Sequence, residues 1–182
     1  MFPLETDSWP PEALITDRLL LREAAARDRS PLIELFSSPE VGAFIGGPQP
    51  RAELERNVPE VPGRRPGFFV VEHDGVMIGM VTVDRHDPQG PGRGHLDPGV
   101  AVLGYLFLPQ AWGQGYATEA CRAVLTWFDG VFPGEAMALC TQLANTSARG
   151  VAAKLGFIET ARFEEYGAGQ WLAVRKAVPG GH

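Results

Sequence analysis

The chain has 182 residues, of which 45% are hydrophobic and 21% are charged, and its formal net charge is −6. These values are typical of a soluble globular protein, and the length suits a single domain over residues 1–182 with a substantial core. The negative charge argues against a nucleic-acid-binding surface as the main function, but it leaves open the local charge of a small-molecule site.

The first third of the chain is predicted to form an extended arm, one strand and two helices. Residues 1–16 are Pro-rich and acidic and predict the arm, and the apolar run at 18–22 predicts the strand. Asp28, with a proline three residues later, is typical of a helix start in which the aspartate caps the helix. Pro39 ends this helix, and a second helix is predicted at 51–58.

Turn signals and apolar periodicity predict the remaining elements. The pair Asp74-Gly75 is typical of a tight hairpin, Gly156 fits the left-handed residue that closes a helix, and residues 167–169 are predicted as the last turn. The predicted strands are 68–72, 77–84, 100–108, 136–141, 157–165 and 170–177, and the predicted helices are 116–128 and 146–155. Residues 178–182 are predicted as a C-terminal tail. A hairpin run followed by a crossover helix implies a mixed sheet with helices on its faces.

Two further features bear on the compartment. Cys121 and Cys140 lie in apolar stretches, which predicts buried free thiols and neither a disulfide framework nor a zinc site. The N-terminal residues lack a basic segment followed by an apolar run, and no apolar stretch approaches the roughly 20 residues that a membrane span needs. We therefore expect a cytoplasmic protein with no membrane partner and no metal.

The strongest motif is the glycine-rich turn between the strand at 100–108 and the helix at 116–128. Gly113 and Gly115 permit backbone torsions that other residues resist. The first turn of the following helix has unpaired N–H groups at the positive end of the helix dipole. Such donors bind a phosphate or pyrophosphate without a basic side chain. The alternative is a turn that only joins strand to helix, which a lone Gly-x-Gly would favour.

The surrounding residues decide between these readings. The hexapeptide 113–118 lacks the third glycine of a dinucleotide-binding fingerprint, and no Lys-Ser or Lys-Thr follows it as in a phosphate loop. Its pattern, Gln/Arg-x-x-Gly-x-Gly/Ala, resembles the signature of the GNAT acyltransferase superfamily. The segments 15–22 and 104–120 are similar to those of the ribosomal-protein alanine N-acetyltransferase-like branch, and Asn145 followed by 154–157 is a later match in the same order.

The resemblance implies the GNAT acyl-CoA N-acyltransferase fold, which is of the α+β class with mixed α/β layers. Its central sheet is mixed, mostly antiparallel and splayed between the fourth and fifth strands, here 100–108 and 136–141, with helices on both faces. The implied activity is transfer of an acetyl group from acetyl-CoA to a primary amine, either a protein or peptide N-terminus or a small molecule. Relatives often pair, so a homodimer is a further expectation.

The resemblance also implies which residues contact coenzyme A. The pyrophosphate is expected on the glycine-rich turn, and the pantetheine arm is expected to pair with the central strand like an added strand. An N–H near the end of that strand is expected to polarise the thioester carbonyl. Asn145 either fixes the arm or caps the following helix, and both roles are open. The implied contacts are Phe107, Leu108, Gln110, Gly113, Gln114, Gly115, Ala117, Thr118 and Asn145.

The acid and base that the family uses are missing from their usual positions. Ala152 stands where many relatives have a tyrosine, Ala148 where the branch often has a serine, and Val102 where some have a carboxylate. Ser147, beside the serine position, is one candidate catalytic residue. Asp84, at a strand end where partial burial would raise its pKa, is the other, and its alternative role is to cap a loop.

The function therefore keeps several alternatives. The coenzyme A motif is compatible with succinyl-CoA or another acyl-CoA as donor. The missing acid and base leave open a catalytically weak acyl-CoA-binding regulatory module. A dinucleotide-dependent oxidoreductase is disfavoured by the strand order and the missing third glycine. Acceptor specificity is expected to lie in residues 41–65 and in the final hairpin.

Overall fold

The computed structural model describes residues 1–7, 9–90, 92 and 94–177, so the predicted tail 178–182 lies outside the described residues. The strands are β1 (Phe2–Pro3), β2 (Leu14–Ile15), β3 (Leu20–Arg22), β4 (Phe68–His73), β5 (Val76–Arg85), β6 (Ala101–Phe107), β7 (Met137–Gln142), β8 (Ile158–Glu165) and β9 (Ala168–Arg175). The helices are α1 (Arg29–Ser37), α2 (Pro39–Gly42), α3 (Arg51–Asn57), α4 (Tyr116–Val131) and α5 (Thr146–Lys154).

The strands form one sheet, and the sheet opens in the middle. Its order is β2-β3-β4-β5-β6-β7-β9-β8, with β1 paired to the end of β5. Among the described strands, only the β6–β7 pair is parallel. This pair is in register only at Ala101–Met137 and Val102–Ala138, beyond which the two strands separate. The predicted mostly antiparallel sheet, splayed between its fourth and fifth predicted strands, is confirmed.

Helices cover both faces of the sheet, as predicted. The alternation of β5 shows the two faces, because Val81 and Val83 pack in the core with α4 and α5, whereas Met80 packs in the core with α1 and α2. Residues of α4 at helical spacing are fully or nearly fully buried against the first of these faces: Ala120, Cys121, Val124, Leu125 and Phe128. The two cores therefore lie on opposite faces of β5.

The N-terminal arm belongs to the sheet. Phe2 pairs with Arg85 of β5, and Leu14 pairs with Leu21 of β3. Trp9, between these two strands, packs edge-on against Phe69 and Trp127, with ring centroids 5.0 Å and 6.0 Å away. The sequence does not reveal these strands because two residues are too few to show an alternating pattern.

The two hairpin turns show one confirmed prediction and one that was wrong. Asp74 and Gly75 have φ values of 50° and 80°, as the predicted tight turn requires. The final hairpin turns at Tyr166 and Gly167, with φ values of 53° and 72°, and not at residues 167–169. Glu165 pairs with Ala168, so the loop contains two residues rather than three.

Asp28 does not cap α1 as predicted. Its side chain makes no capping hydrogen bond to that helix and instead accepts from the Ala25 N–H at 2.7 Å. Arg22 donates to both Asp28 oxygens, at 2.7 Å and 2.9 Å, and to Glu72 at 2.8 Å. Both carboxylates are buried, so each needs a cation. Arg22 is the ion-pair partner of Asp28, and it shares Glu72 with Arg27, which donates to that carboxylate at 2.9 Å.

We expect Arg22→Met to lower the free energy of unfolding by about 3 kcal/mol near neutral pH, because it removes the ion-pair partner of the buried Asp28 and leaves Glu72 with Arg27 alone. Burial is the largest single influence on the pKa values of Asp28 and Glu72 and opposes their ionisation. The hydrogen bonds and charges of Arg22 and Arg27, with the Ala25 N–H at Asp28, together outweigh burial and lower both pKa values below the ordinary 3.8 and 4.5. The stability that the ionised carboxylates of Asp28 and Glu72 contribute is therefore fully present above their ordinary pKa values. It is lost as the pH falls through their lower pKa values in the folded protein.

Urea unfolding at several pH values measures this effect. The difference between the native protein and Arg22→Met should narrow as the pH falls below about 4. Arg51→Met is the matched control, because its ion pair with Glu55 is half-exposed at 56% and 52% and should contribute under about 0.5 kcal/mol. If the free energies of unfolding of the native protein and Arg22→Met differed by the same amount at all pH values, Arg22 would not act through the ionised carboxylates.

Candidate active site

A cavity of about 730 Å³ lies where β6 and β7 separate. Its lining on the α4 face comes from the turn before α4 and from α5. Its lining on the opposite face comes from α2, from the two residues Phe44 and Ile45, and from β5. The cavity thus reaches both faces of the sheet through the gap between two strands, and its volume suits a small molecule.

The glycine-rich turn presents backbone donors to this cavity. Gly113 and Gly115 are both left-handed, with φ values of 74° and 82°, and Gly115 is the residue from which α4 starts. The first helical hydrogen bond is donated by Glu119 to the Gly115 carbonyl at 3.1 Å, so the preceding N–H groups have no partner within the helix. Gly113, Gly115, Ala117 and Thr118 all line the cavity. An anionic phosphate group fits this end of the helix.

Gln110 and Gln114 brace the turn from outside. Both are exposed, and neither lines the cavity. The Gln114 side chain donates to the Gln110 carbonyl at 3.3 Å. Contacts of these two residues with coenzyme A therefore stay a prediction, to which the structure adds a role in shaping the turn.

Arg18 and Glu119 hold the turn against the N-terminal segment. Arg18 donates to Glu119 at 2.8 Å and to the Gln114 carbonyl at 3.0 Å, and its guanidinium lies 4.6 Å from the centre of the Tyr116 ring. Thr16 donates to Glu119 at 2.6 Å. Burial opposes ionisation of Glu119, but these hydrogen bonds outweigh burial and lower its pKa. The Glu119 carboxylate is thus ionised, and Arg18 compensates its charge next to the helix start that fits a phosphate group.

The separation of β6 from β7 exposes the backbone of β6. Leu108 donates its N–H to Ile78 at 2.9 Å, so in this antiparallel ladder the N–H groups of Tyr105 and Phe107 point the other way, into the gap. The Phe107 carbonyl accepts a hydrogen bond from the Trp112 indole at 2.7 Å. The contact of Leu108 with the pantetheine arm stays a prediction, and the structure gives it no support, because the Leu108 N–H is already bound and the residue lies outside the cavity lining. Tyr105 and Phe107 are the residues that present N–H groups.

Asn145 caps α5 and also lines the cavity. Its carbonyl oxygen accepts from the Ala148 N–H at 3.1 Å, and its amide donates to the Thr141 hydroxyl at 3.2 Å. The capping role is observed, and contact with the pantetheine arm stays a prediction. Ser147, in the exposed first turn of α5, lines the same side of the cavity.

Asp84 lies outside the cavity lining, although it is only 8% exposed. Both of its carboxylate oxygens accept hydrogen bonds from Arg65, the longer of them at 3.2 Å. Asp84 lies on the same face of β5 as Thr82, which does line the cavity, but one strand repeat of about 7 Å further along. The structure thus does not bring Asp84 together with the other predicted site residues.

Tyr105 is a site residue that the sequence does not single out. It lines the cavity, and its hydroxyl lies 3.5 Å from the Ala148 carbonyl of α5, at the outer limit of a hydrogen bond. Burial, with a smaller contribution from Cys121, raises the pKa of this phenol, so it stays protonated. The sequence shows the Gly104-Tyr105 pair but not the separation of β6 from β7, and it is this separation that lets the Tyr105 ring reach the cavity.

Cys121 is buried as predicted, whereas Cys140 is half-buried and lines the cavity. Burial raises the pKa of the Cys140 thiol to about 11, so it is uncharged near neutral pH. Among the described residues, no three His, Cys, Asp or Glu side chains are grouped to hold a metal ion. No described helix has the length and apolar character to cross a membrane.

Residues 18–158 match the family model described as the acetyltransferase (GNAT) domain. The chain belongs to the GNAT acetyltransferase family. A Bacillus subtilis (strain 168) protein described as uncharacterized protein YkkB is 29% identical over 121 residues, which cover 63% of this GNAT chain and 66% of YkkB.

Solved GNAT structures share the fold. The aminoglycoside acetyltransferase AAC(6')-Ib in complex with coenzyme A has a TM-score of 0.70 and 17% identity, covering 87% of this chain and 94% of that chain. The RimL ribosomal L7/L12 alpha-N-protein acetyltransferase in complex with coenzyme A has a TM-score of 0.71 and 16% identity, covering 91% and 98%. At these identities the likeness shows the fold alone.

The GNAT assignment makes the Arg18–Glu119 pair testable. We expect Arg18→Met to weaken coenzyme A binding about 10-fold, because the turn loses a charge-assisted hydrogen bond and Glu119 is left uncompensated beside the phosphates. The double variant with Glu119→Gln should recover part of the loss. Calorimetry measures the Kd.

Arg122→Met is the control for this pair, because Arg122 is exposed on α4 one turn further from the glycine-rich turn. Its Kd should equal that of the native protein. An unchanged Kd in Arg18→Met would show that the turn does not depend on this residue.

Proposed function

We propose that this GNAT protein is an acetyl-CoA-dependent N-acetyltransferase that transfers the acetyl group to a primary amine by direct attack on the thioester. The observation that carries the proposal is the cavity between β6 and β7. It joins an anion-binding helix start on one face of the sheet to an apolar chamber on the other. A thioester that lies in the gap is then reached by coenzyme A from one side and by an amine from the other.

The exposed backbone fits the chemical groups of acetyl-CoA. The N–H groups of the first turn of α4 would bind the pyrophosphate, with Thr118 adding a hydroxyl. The N–H groups of Tyr105 and Phe107 face the gap, where an added strand-like arm would pair with them. One of these two donors would polarise the thioester carbonyl and stabilise the charge that develops on its oxygen.

The transfer requires an uncharged amine in contact with the thioester. The nitrogen forms a bond to the acetyl carbon, the carbon–sulfur bond breaks, and the proton lost by the nitrogen ends on the departing sulfur. Holding the two reactants in this geometry can contribute about 7–11 kcal/mol to the lowering of the barrier. The ion pair of Asp84 with Arg65, outside the lining, gives no support to a base role, and we propose that solvent at the open mouth takes the ammonium proton.

Tyr105 is the residue we propose to assist the departing sulfur. Many relatives use a tyrosine of the last helix, and here Ala152 of α5 is fully buried and leaves that position without a hydroxyl. The Tyr105 ring comes from β6 instead and reaches Ala148 of the same helix. Because its pKa is raised, the phenol stabilises the thiolate by donating a hydrogen bond rather than by giving up its proton. Ser147 stays a proposed second donor.

Two other functions remain alternatives. Transfer of a succinyl or other acyl group would use the same backbone contacts, since the pyrophosphate, the pantetheine arm and the thioester carbonyl are common to all acyl-CoA donors. A catalytically weak acyl-CoA-binding module would bind the same carrier without turnover. The amine is proposed to be a small molecule or a protein N-terminus, by analogy with the aminoglycoside and ribosomal-protein acetyltransferases that share the fold. A homodimer also stays a prediction.

An assay of thiol release separates enzyme from binding module. We expect the protein to bind coenzyme A with a micromolar Kd in calorimetry and to release free thiol from acetyl-CoA only when an amine is added. Gly115→Val should abolish binding, because its φ of 82° is strained for a β-branched residue. Gly134→Val is the matched control, because Gly134 has a φ of 85° and lies outside the cavity lining. Binding without amine-dependent release would favour the module.

Tyr105→Phe tests the proposed donor to sulfur. We expect kcat to fall about 10-fold to 100-fold, the effect of one hydrogen bond to a charged group, with little change in the Kd of coenzyme A. Tyr166→Phe is the control, because Tyr166 is 78% exposed in the final turn and should leave kcat unchanged. A fall in affinity with no fall in kcat would instead indicate a packing role for the Tyr105 hydroxyl.

A further inference from the structure

The face of the cavity opposite α4 forms a chamber of distinct chemistry, which we call the acceptor chamber. Its members come from α2, from the two residues that follow it closely, and from β5. They are Glu40, Val41, Phe44, Ile45, Met80 and Thr82. The acceptor chamber lies on the face of the sheet that α1 and α2 cover. The proposed coenzyme A side lies on the other face, which α4 and α5 cover.

The walls of the acceptor chamber are apolar. Val41 and Met80 are buried at its base, whereas Phe44 and Ile45 are 37% and 53% exposed at its mouth. Together Phe44 and Ile45 present apolar surface at the mouth, which the apolar body of a ligand can contact. The segment that carries them is fixed, since Gly42 accepts hydrogen bonds from Ile45 at 3.0 Å and from Gly47 at 2.9 Å.

The acceptor chamber contains one charged side chain, the carboxylate of Glu40. The Ser38 hydroxyl donates to this carboxylate at 2.9 Å. The other charged residue in the described cavity lining is Lys154, which belongs to α5 on the coenzyme A side. A ligand in the chamber therefore meets one negative charge and no positive charge, so a single cation is favoured and a carboxylate close to the amine is not.

The inner end of the acceptor chamber has a polar group next to an open space. Thr82 of β5 pairs with Gly104 of β6, and both line the cavity. A Cβ atom on Gly104 would lie 2.8 Å from the Thr82 hydroxyl oxygen. The glycine therefore leaves that oxygen accessible beside the gap, where it can accept a hydrogen bond from an uncharged amine.

We propose that the acceptor is a small apolar primary amine that carries a single positive charge in solution, such as an arylalkylamine. Glu40 attracts its ammonium form, Phe44 and Ile45 contact its apolar body, and the Thr82 hydroxyl orients the nitrogen once the proton has left to solvent. The proposal rests on acetyl transfer as the function of this site. It excludes a polycationic aminoglycoside, whose further charges would have no partner, and a free amino acid, whose carboxylate would meet Glu40.

A panel of amines tests the proposed acceptor with the full chain and acetyl-CoA. The probes are 2-phenylethylamine, phenylalanine, kanamycin and a short peptide with a free N-terminus. Phenylalanine differs from 2-phenylethylamine by the carboxylate that the chamber should reject. We expect kcat/KM for 2-phenylethylamine to exceed the values for the other three probes by at least about 10-fold.

Two variants connect this preference to the acceptor chamber. Glu40→Gln should raise the KM for 2-phenylethylamine about twofold to fivefold, through the loss of one ion pair with a solvent-exposed carboxylate. Ile45→Ser should raise it by a similar factor, through the loss of apolar contact. Glu34→Gln is the matched control, because Glu34 is exposed on α1 and lies outside the cavity lining. All three variants should keep the Kd of coenzyme A.

The outcomes separate this inference from the function on which it rests. Thiol release with kanamycin or the peptide, but not with 2-phenylethylamine, keeps the acetyltransferase and overturns the proposed acceptor. Equal rates with phenylalanine and 2-phenylethylamine, or an unchanged KM in Glu40→Gln, overturn it as well. No release with any probe contradicts both proposals.

Discussion

The separation of β6 from β7 is the constraint on which the site depends. A central pair of strands normally satisfies its backbone hydrogen bonds along its whole length, and here the pairing stops after Val102 and Ala138. The N–H groups of Tyr105 and Phe107 are left facing a cavity, and a cavity that needs hydrogen-bond acceptors favours a ligand with amide and thioester carbonyls. The gap between the two strands also connects the two faces of the sheet. One cavity therefore extends from the start of α4 on one face to the acceptor chamber on the other.

Two arginines near one short strand secure the elements on either side of the opening. Arg18, just before β3, holds the turn before α4 through Glu119 and the Gln114 carbonyl. Arg22, at the end of β3, holds the residues before α1 through Asp28 and ties them to Glu72 of β4. In both cases the carboxylate is buried or beside an anion site, where an unpaired charge would be costly. The segment that contains Arg18 and Arg22 thus contacts both the turn before α4, on the coenzyme A side, and the residues before α1, on the side of the acceptor chamber.

The sequence predicts those parts of the protein that local rules determine. The left-handed glycines of the turn, the apolar spacing of α4 and the Asp74-Gly75 hairpin each follow from the residues themselves. The pairing of Arg18 with Glu119 and the capture of Asp84 by Arg65 depend on long-range contacts, which no local pattern encodes. Asp28 is a further example, because its position predicts a helix cap, whereas its carboxylate accepts hydrogen bonds from Arg22.

The hydroxyl that we propose to assist the thiolate lies on a strand, whereas many relatives have it on the last helix. A tyrosine on α5 would enter the opening from the helix, and Ala152 removes that option while filling the core. The opening offers another position, because Leu103, Tyr105 and Phe107 of β6 pack on the α4 face of the sheet and line the cavity. Of these, Tyr105 reaches the first turn of α5. The chemistry requires a protonated hydroxyl near the sulfur, and this requirement can be met from a strand as well as from a helix.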